Sequence, residues 1–233
     1  MADIKLISST AMKNTLDEVL PKFERDSGHK VVPSYGPSPR LTQQIADGEA
    51  CDAAIVGAQN IEDLTKQGKV AAGTSCAIAA SPIALAVQKG APRPDISTAE
   101  KFKQALLAAR SIAMSNPVGG GTSGGVLMRA FERLGIADAI KDKLTFGAGG
   151  PAGLVGHYLV RKEIEIGIQQ LPELMMVPGI DIVGPLPEGV QSVTVFTGGV
   201  SAAAKNPDGA ATLLKFLATP EVAAVVRAKG MEI

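Results

Sequence analysis

Short apolar runs and helical periodicity alternate along almost the whole chain. IKLIS at 4–8 reads as a buried strand, and 11–27 as a helix with Leu16, Val19, Leu20 and Phe23 on one face. Pro21 falls inside that pattern and is expected to kink the helix, because it has no N–H for the helical ladder. Gly28 then closes it. KVVPSY predicts a strand, Pro39 to Ala46 a helix, DAAIVG (52–57) a strand, and Asn60 the cap of a short helix over 61–67. Residues 76–88 predict one long apolar strand. Ser97 and Glu100 fit a capping box, with the helix behind them reaching Arg110.

The second half keeps the same alternation. SIAMS (111–115) predicts a strand, followed by a glycine-rich loop and a helix to Leu134. LTF leads to GGPAG and a helix, then to strands over 164–170, 180–184 and 193–204. Asn206-Pro207 and Thr219-Pro220 open two final helices, each a cap residue followed by proline at the first helical position. Strands alternating with helices imply an α/β fold with largely parallel sheets.

Four turns share one chemistry: SSTA (8–11), GPSPR (36–40), the glycine loop (119–125) and GGPAG (149–153). Each follows a strand, starts a helix and is built from Gly, Ser, Thr and Pro, with Ser38-Pro39 read as cap and proline. In parallel α/β sheets such turns converge at the carboxyl ends of the strands. Helix starts offer free N–H groups and partial positive charge, so several facing one gap suit an oxygen-rich anion without needing lysine. Gly119, Gly121 and Gly124 also satisfy G-x-G-x-x-G. A nucleotide is the weaker reading: the loop lacks a Lys-Ser/Thr pair, and the next strand ends without the acidic residue that would hold a ribose.

Composition narrows the picture further. A length of 233 residues suits two small lobes, and 45% hydrophobic with only 3% aromatic content means an interior of Ala, Val, Ile and Leu. The 23 basic and 23 acidic residues cancel, which removes the electrostatic case for nucleic acid or an anionic membrane surface. No apolar run approaches the ~20 residues that cross a bilayer. The chain enters a strand directly from MADIKLISST, so no signal peptide is read. Cys51 and Cys76 have no metal-ligand spacing and read as inert core thiols, a single disulfide being the other option. G-x-S-x-G, Cys–His motifs and clustered carboxylates are missing, so neither metal nor cofactor is expected.

ISSTAMKNTLDEVLPKFERDSGHKVVPSYGPSPRLTQQIADGEACDAAI, with its L-x-x-Q-I-x-x-G stretch, resembles the amino-terminal lobe of periplasmic molybdate-binding proteins. The likeness continues through NPVGGGTSGG…FERLG, EIEIGIQQ and TPEVAAVVRAKGMEI, nearly the whole chain. It implies the two-lobed type II periplasmic-binding-protein fold, with lobe one at 1–80 plus 195–233 and lobe two at 81–194. SPIALAV and VTVFTGG would be the crossings, and the ligand would lie between lobes that close on a hinge. It also implies a small-molecule anion as ligand, the permease of an ABC transporter as partner, a monomer, and a periplasmic location with the cytoplasm as the other option.

Carried over residue by residue, the second-turn serine of that family is Ser38, and the two lobe-two amides fall at Ser123 and Ala152. The first-turn serine position holds Ala11, beside Ser9 and Thr10, and the tyrosine position holds Gln170, beside Gln169. Asn116, Thr122 and Gly124 complete the candidate set, with Arg40 two residues past Ser38 as a further candidate or a solvent-facing residue. Glutamines and a guanidinium suit a planar carboxylate better than a tetrahedral dianion, so an organic carboxylate is expected rather than molybdate. The same neighbourhood resembles a group that includes aconitate isomerase, which needs a placed acid and base. The four turns hold no Asp, Glu or His, leaving Ser9, Ser123 and His157 as candidates; His157 also reads as a packing residue, and His29 as solvated. MMVPG (175–179) reads as core or hinge cover.

Overall fold

The computed structural model describes residues 3–233. The chain runs β1 (Asp3–Ser9), α1 (Lys13–Ser27), β2 (Lys30–Gly36), α2 (Ser38–Ala46), β3 (Ala53–Gly57), α3 (Ala58–Lys66) and β4 (Cys76–Ser81). It continues as β5 (Ile83–Gln88), α4 (Ala99–Ala108), β6 (Ile112–Ser115), α5 (Thr122–Arg133), α6 (Ala137–Ile140), β7 (Leu144–Gly147), α7 (Val155–Val160), β8 (Ile166–Gln170), α8 (Leu171–Met175) and β9 (Ile180–Pro185). It ends with β10 (Thr194–Val200), α9 (Pro207–Leu217) and α10 (Pro220–Ala228). Two compact units result: the residues up to Ser81 together with Thr194–Ile233, and Pro82–Val193.

The first unit is a five-stranded sheet in the order β2-β1-β3-β10-β4. β1, β2 and β3 run parallel, while β10 pairs antiparallel with β3 and β4. Strand alternation splits its core in two. Ile4, Leu6 and Ile55 face α1, α9 and α10, burying Leu16, Phe23, Leu213 and Val226. Ile7, Ala54 and Val56 face α2 and α3, burying Leu41, Ile45, Ile61 and Leu64. Asp52 ties the return segment to this sheet: its carboxylate accepts from the N–H groups of Lys5 (2.8 Å), Lys205 (2.7 Å) and Asn206 (2.9 Å).

The second unit repeats the plan in the order β7-β6-β8-β5-β9, parallel among β6, β7 and β8 and antiparallel around β5. Ile112, Met114 and Ile168 face Phe102, Leu127 and Phe131, while Ala84, Ala86 and Ala113 face Val155, Leu159 and Leu174. Both sheets are thus mixed: the first takes in β10 on the chain's return, and the second places its own opening strand, β5, antiparallel between β8 and β9.

Local signals explain most boundaries. Gly28 stops α1 at φ 71°, its N–H bonded to the Glu24 carbonyl. The Asn206 and Thr219 side chains cap α9 and α10 as expected. Elsewhere the pattern misleads. Residues 76–88 are two strands in different sheets, broken at Pro82, since proline cannot continue the ladder. Asn60 lies inside α3, which starts after Gly57. Thr98 rather than Ser97 caps α4, its Oγ1 accepting the Lys101 N–H at 3.2 Å, while the Ser97 N–H goes to Asp95. Pro21 is exposed and leaves α1 continuous. His29 is half-buried, stacked on Phe23 with ring centroids 6.5 Å apart, and not fully solvated. Cys51 and Cys76 are free thiols. Among the described residues no single helix is long and apolar enough to cross a membrane.

Candidate functional site

In the first unit the ends of β1 and β2 lie side by side, with Ser9 opposite Gly36. Past Ser9 the chain turns through a 3-10 turn, Thr10–Met12, and past Gly36 it enters α2 through Pro37. Ser9, Thr10 and Ala11 are all buried, and so is Ser38 at 2% exposure. Pro37 is the cap of α2, so Ser38 is its first helical residue and its hydroxyl does not cap, contrary to the Ser38-Pro39 expectation. The Thr10 Oγ1 and Ser38 Oγ atoms are buried without a hydrogen-bond partner among the described residues; Thr15 Oγ1, one turn into α1, is the third such atom. An unpaired buried hydroxyl costs roughly 1–3 kcal/mol, so two at adjacent strand ends call for an occupant. Arg40 is exposed on α2.

The second unit brings the ends of β6, β7 and β8 to one edge, with Ser115 opposite Gly147 and Met114 opposite Ile168. Here the buried polar groups satisfy one another. Ser123 Oγ donates to Ser115 Oγ at 3.2 Å. Gln170 Nε2 donates to Thr122 Oγ1 at 3.4 Å. Gln169 Oε1 accepts the Val155 N–H at 2.8 Å, so the two adjacent glutamines serve opposite faces of β8. Asn116 is half-buried and folds its Oδ1 onto the Val118 N–H. Ala152 is exposed, in the 3-10 turn Pro151–Gly153.

The glycines of the 119–125 loop have a packing reason. A Cβ on Gly124 would lie 2.6 Å from the Ser115 carbonyl oxygen, and one on Gly120 would lie 2.4 Å from the Asn116 Cβ. Gly121 takes φ 145°, which strains other residues. The loop therefore folds back against the end of β6, seating Thr122 and Ser123 at the start of α5.

His157 is half-buried in α7, and beside it the Tyr158 ring lies 4.8 Å under the Arg161 guanidinium. Lys13 pairs with Asp17 and sits over the Tyr35 ring. Burial pushes the Cys51 thiol up to about 11, leaving it unreactive near neutrality. Among the described residues no three His, Cys, Asp or Glu side chains converge as metal ligands would.

One group escaped the sequence reading. Glu173, in α8 directly after β8, is half-buried, and burial pushes its carboxyl up to about 7 against the pull of a hydrogen bond from Gln169. Its local signal was Pro172, which suits the first turn of a helix.

Two mixed five-stranded sheets flanked by helices, with glycine- and hydroxyl-rich turns at the strand ends, make the type II periplasmic binding-protein fold. The solved structure of the Azotobacter vinelandii periplasmic molybdate-binding protein shares it, with a TM-score of 0.83 over 99% of both chains at 19% identity. The chain belongs to the bacterial extracellular solute-binding protein family, which matches residues 4–232. It is 33% identical to an aconitate isomerase from Pseudomonas sp over 98% of this chain and 87% of that one. It is 24% identical to the molybdate-binding protein ModA of Azotobacter vinelandii, over 98% of this chain and 89% of that one.

Proposed function

We propose that this protein captures a small organic carboxylate through the strand-end turns of both units. It closes on that ligand by a hinge motion and presents it, in the periplasm, to the permease of an ABC transporter. The reading is carried by the buried, unpartnered hydroxyls of Thr10 and Ser38, two donors at adjacent strand ends. Ser123, Gln170 and the backbone around Ala152 contribute from the second unit. Neutral donors hold an anion without a buried countercharge, so release needs no ion pair to be broken. A carboxylate is preferred over molybdate because Gln170 stands at the family's tyrosine position, and because the Pseudomonas relative, more similar than the molybdate binder, is named for a tricarboxylate.

The same relative favours a second reading, an isomerase that shifts a proton within trans- or cis-aconitate. One experiment separates the two. Proton NMR of trans-aconitate in D2O with a catalytic amount of protein is expected to show broadened ligand lines and no product. Growth of the cis isomer, with deuterium incorporated, would replace transport by isomerisation. Titration calorimetry that finds molybdate tight and trans-aconitate silent would overturn both.

A further inference from the structure

The chain passes between the two units twice, from Ser81 into Pro82 and from Val193 into Thr194. On the second unit's side a single side chain holds both passages. Gln191, two residues before the chain leaves that unit at Val193, is half-buried and turns its amide onto Ile83, the second residue after the entry. Its Oε1 accepts the Ile83 N–H at 2.9 Å, and its Nε2 donates to the Ile83 carbonyl at 2.9 Å. The same amide reaches its own loop: Oε1 accepts the Ser192 N–H at 3.0 Å, and Nε2 donates to the Leu186 carbonyl at 3.3 Å. A glutamine amide has two donor hydrogens and two acceptor lone pairs, and all four are used here.

The sheet explains why Ile83 needs this partner. β9 pairs with β5 as far as Ala84 opposite Pro185, and the chain then turns away through Pro187, whose carbonyl accepts from the Val190 and Gln191 N–H groups. Ile83 is fully buried, so its N–H has no water to turn to. The Gln191 amide offers the donor and acceptor of a peptide group and takes the place of the missing strand. On its other side Ile83 stands opposite Gln170 of β8, and the Pro82 carbonyl accepts the Leu171 N–H at 2.9 Å. The entry is therefore gripped between Gln191 and the strand end that carries Gln170. Within the first unit the two passages are fastened as well, Ser81 opposite Thr194 in the ladder of β4 and β10. Pro82 on one passage, and Ser192 with the exposed Val193 on the other, lie between the two fastenings.

We propose that Gln191 is a positioning residue for closure: it locks the two passages together on the second unit's side, so that this unit turns as one body about Pro82 and Ser192–Val193 and carries Gln170 with it. Two strands tied at both ends bend together and resist twisting, whereas a strand released at one end moves alone. The effect of the lock on affinity rests on the hinge-closing, carboxylate-binding reading above; the lock itself does not.

The test uses the full chain and Gln191→Met, which keeps the length of the side chain and removes its four bonds. In ligand-free protein, hydrogen exchange at the Ile83 amide should quicken at least about tenfold in the variant. Residual dipolar couplings of 15N-labelled protein report the alignment of each unit separately. The two units should share one alignment in the parent protein and differ in Gln191→Met, while the couplings within each unit still fit its own fold. Calorimetry with trans-aconitate as probe should find the variant about tenfold weaker. Unchanged exchange at Ile83 overturns the lock. Alignments that already differ in the parent, or that stay equal in the variant, overturn its part in closure. Couplings that no longer fit the second unit's fold would make Gln191 a stabiliser of that unit and overturn the proposal too, as would equal affinity of the two proteins for trans-aconitate. If exchange and couplings respond as expected and neither protein binds trans-aconitate, the lock stands and the carboxylate reading falls.

Discussion

The two units carry matching strand-end turns and fill them in opposite ways. In the first, Thr10 and Ser38 keep buried hydroxyls that bond to nothing described. In the second, Ser115 with Ser123, Gln170 with Thr122 and Gln169 with Val155 already hold one another. The same composition therefore yields one half that is short of partners and one that is set in place beforehand. A ligand gains most where it satisfies groups the protein cannot satisfy itself, and loses least where the groups it meets are already held in position.

The largest expected effect comes from removing the unsatisfied half. Thr10→Val combined with Ser38→Ala should weaken trans-aconitate binding about 100-fold while raising stability by about 1 kcal/mol, because two unpaired hydroxyls leave the interior. Calorimetry and thermal unfolding read the two effects, and a less stable double variant would show that the hydroxyls have partners after all.

Next comes pH. The folded Glu173 carboxyl keeps its proton up to about 7, against an ordinary value of 4.5. The folded chain thus binds more protons than the unfolded one between those values, so this contribution is fully present below the lower value and is lost as pH rises through the upper. After allowance for solvent reaching a half-buried side chain, Glu173 should account for about 2 kcal/mol of that decline. Urea unfolding across this range should show the loss in the parent protein and not in Glu173→Gln; identical profiles would deny the burial.

Ser123→Ala sharpens the contrast from the other side. It strands the Ser115 hydroxyl, so stability should fall by about 1 kcal/mol, the sign opposite to that of the first-unit double variant. The smallest effect belongs to Arg40→Ala. Exposed on α2, Arg40 should leave stability within about 0.5 kcal/mol and reduce carboxylate affinity only a few-fold, with molybdate unaffected. Equal losses for both ligands would take Arg40 out of the site.

What was legible in the sequence was local. Strand–turn–helix order, Gly28, Asn206 and Thr219 depend on neighbours a few residues away, and they stand where the pattern puts them. Ser38 shows how thin the margin is: α2 starts one residue earlier than Ser-Pro suggests, and a capping hydroxyl becomes a buried one in need of a partner. The break at Pro82 was hidden because both flanks are equally apolar, although the strands join different sheets. Glu173 and Gln169 were harder still. Burial and the bond to Val155 arise from packing between β8, α7 and α8, which no spacing within IGIQQLPEL encodes.

The place of β10 sets an order of events during synthesis. It lies between β3 and β4, so those two strands, close in sequence, are linked only through it and share no sheet until Thr194–Val200 has been made. The second unit is contiguous and needs nothing that comes later. On the ribosome, therefore, the middle of the chain can reach its final form first, while the amino-terminal segment waits for the carboxyl-terminal one. Ending translation at Val193 would spare the second unit and leave β4 with an open edge on both sides, exposed to pairing with other chains.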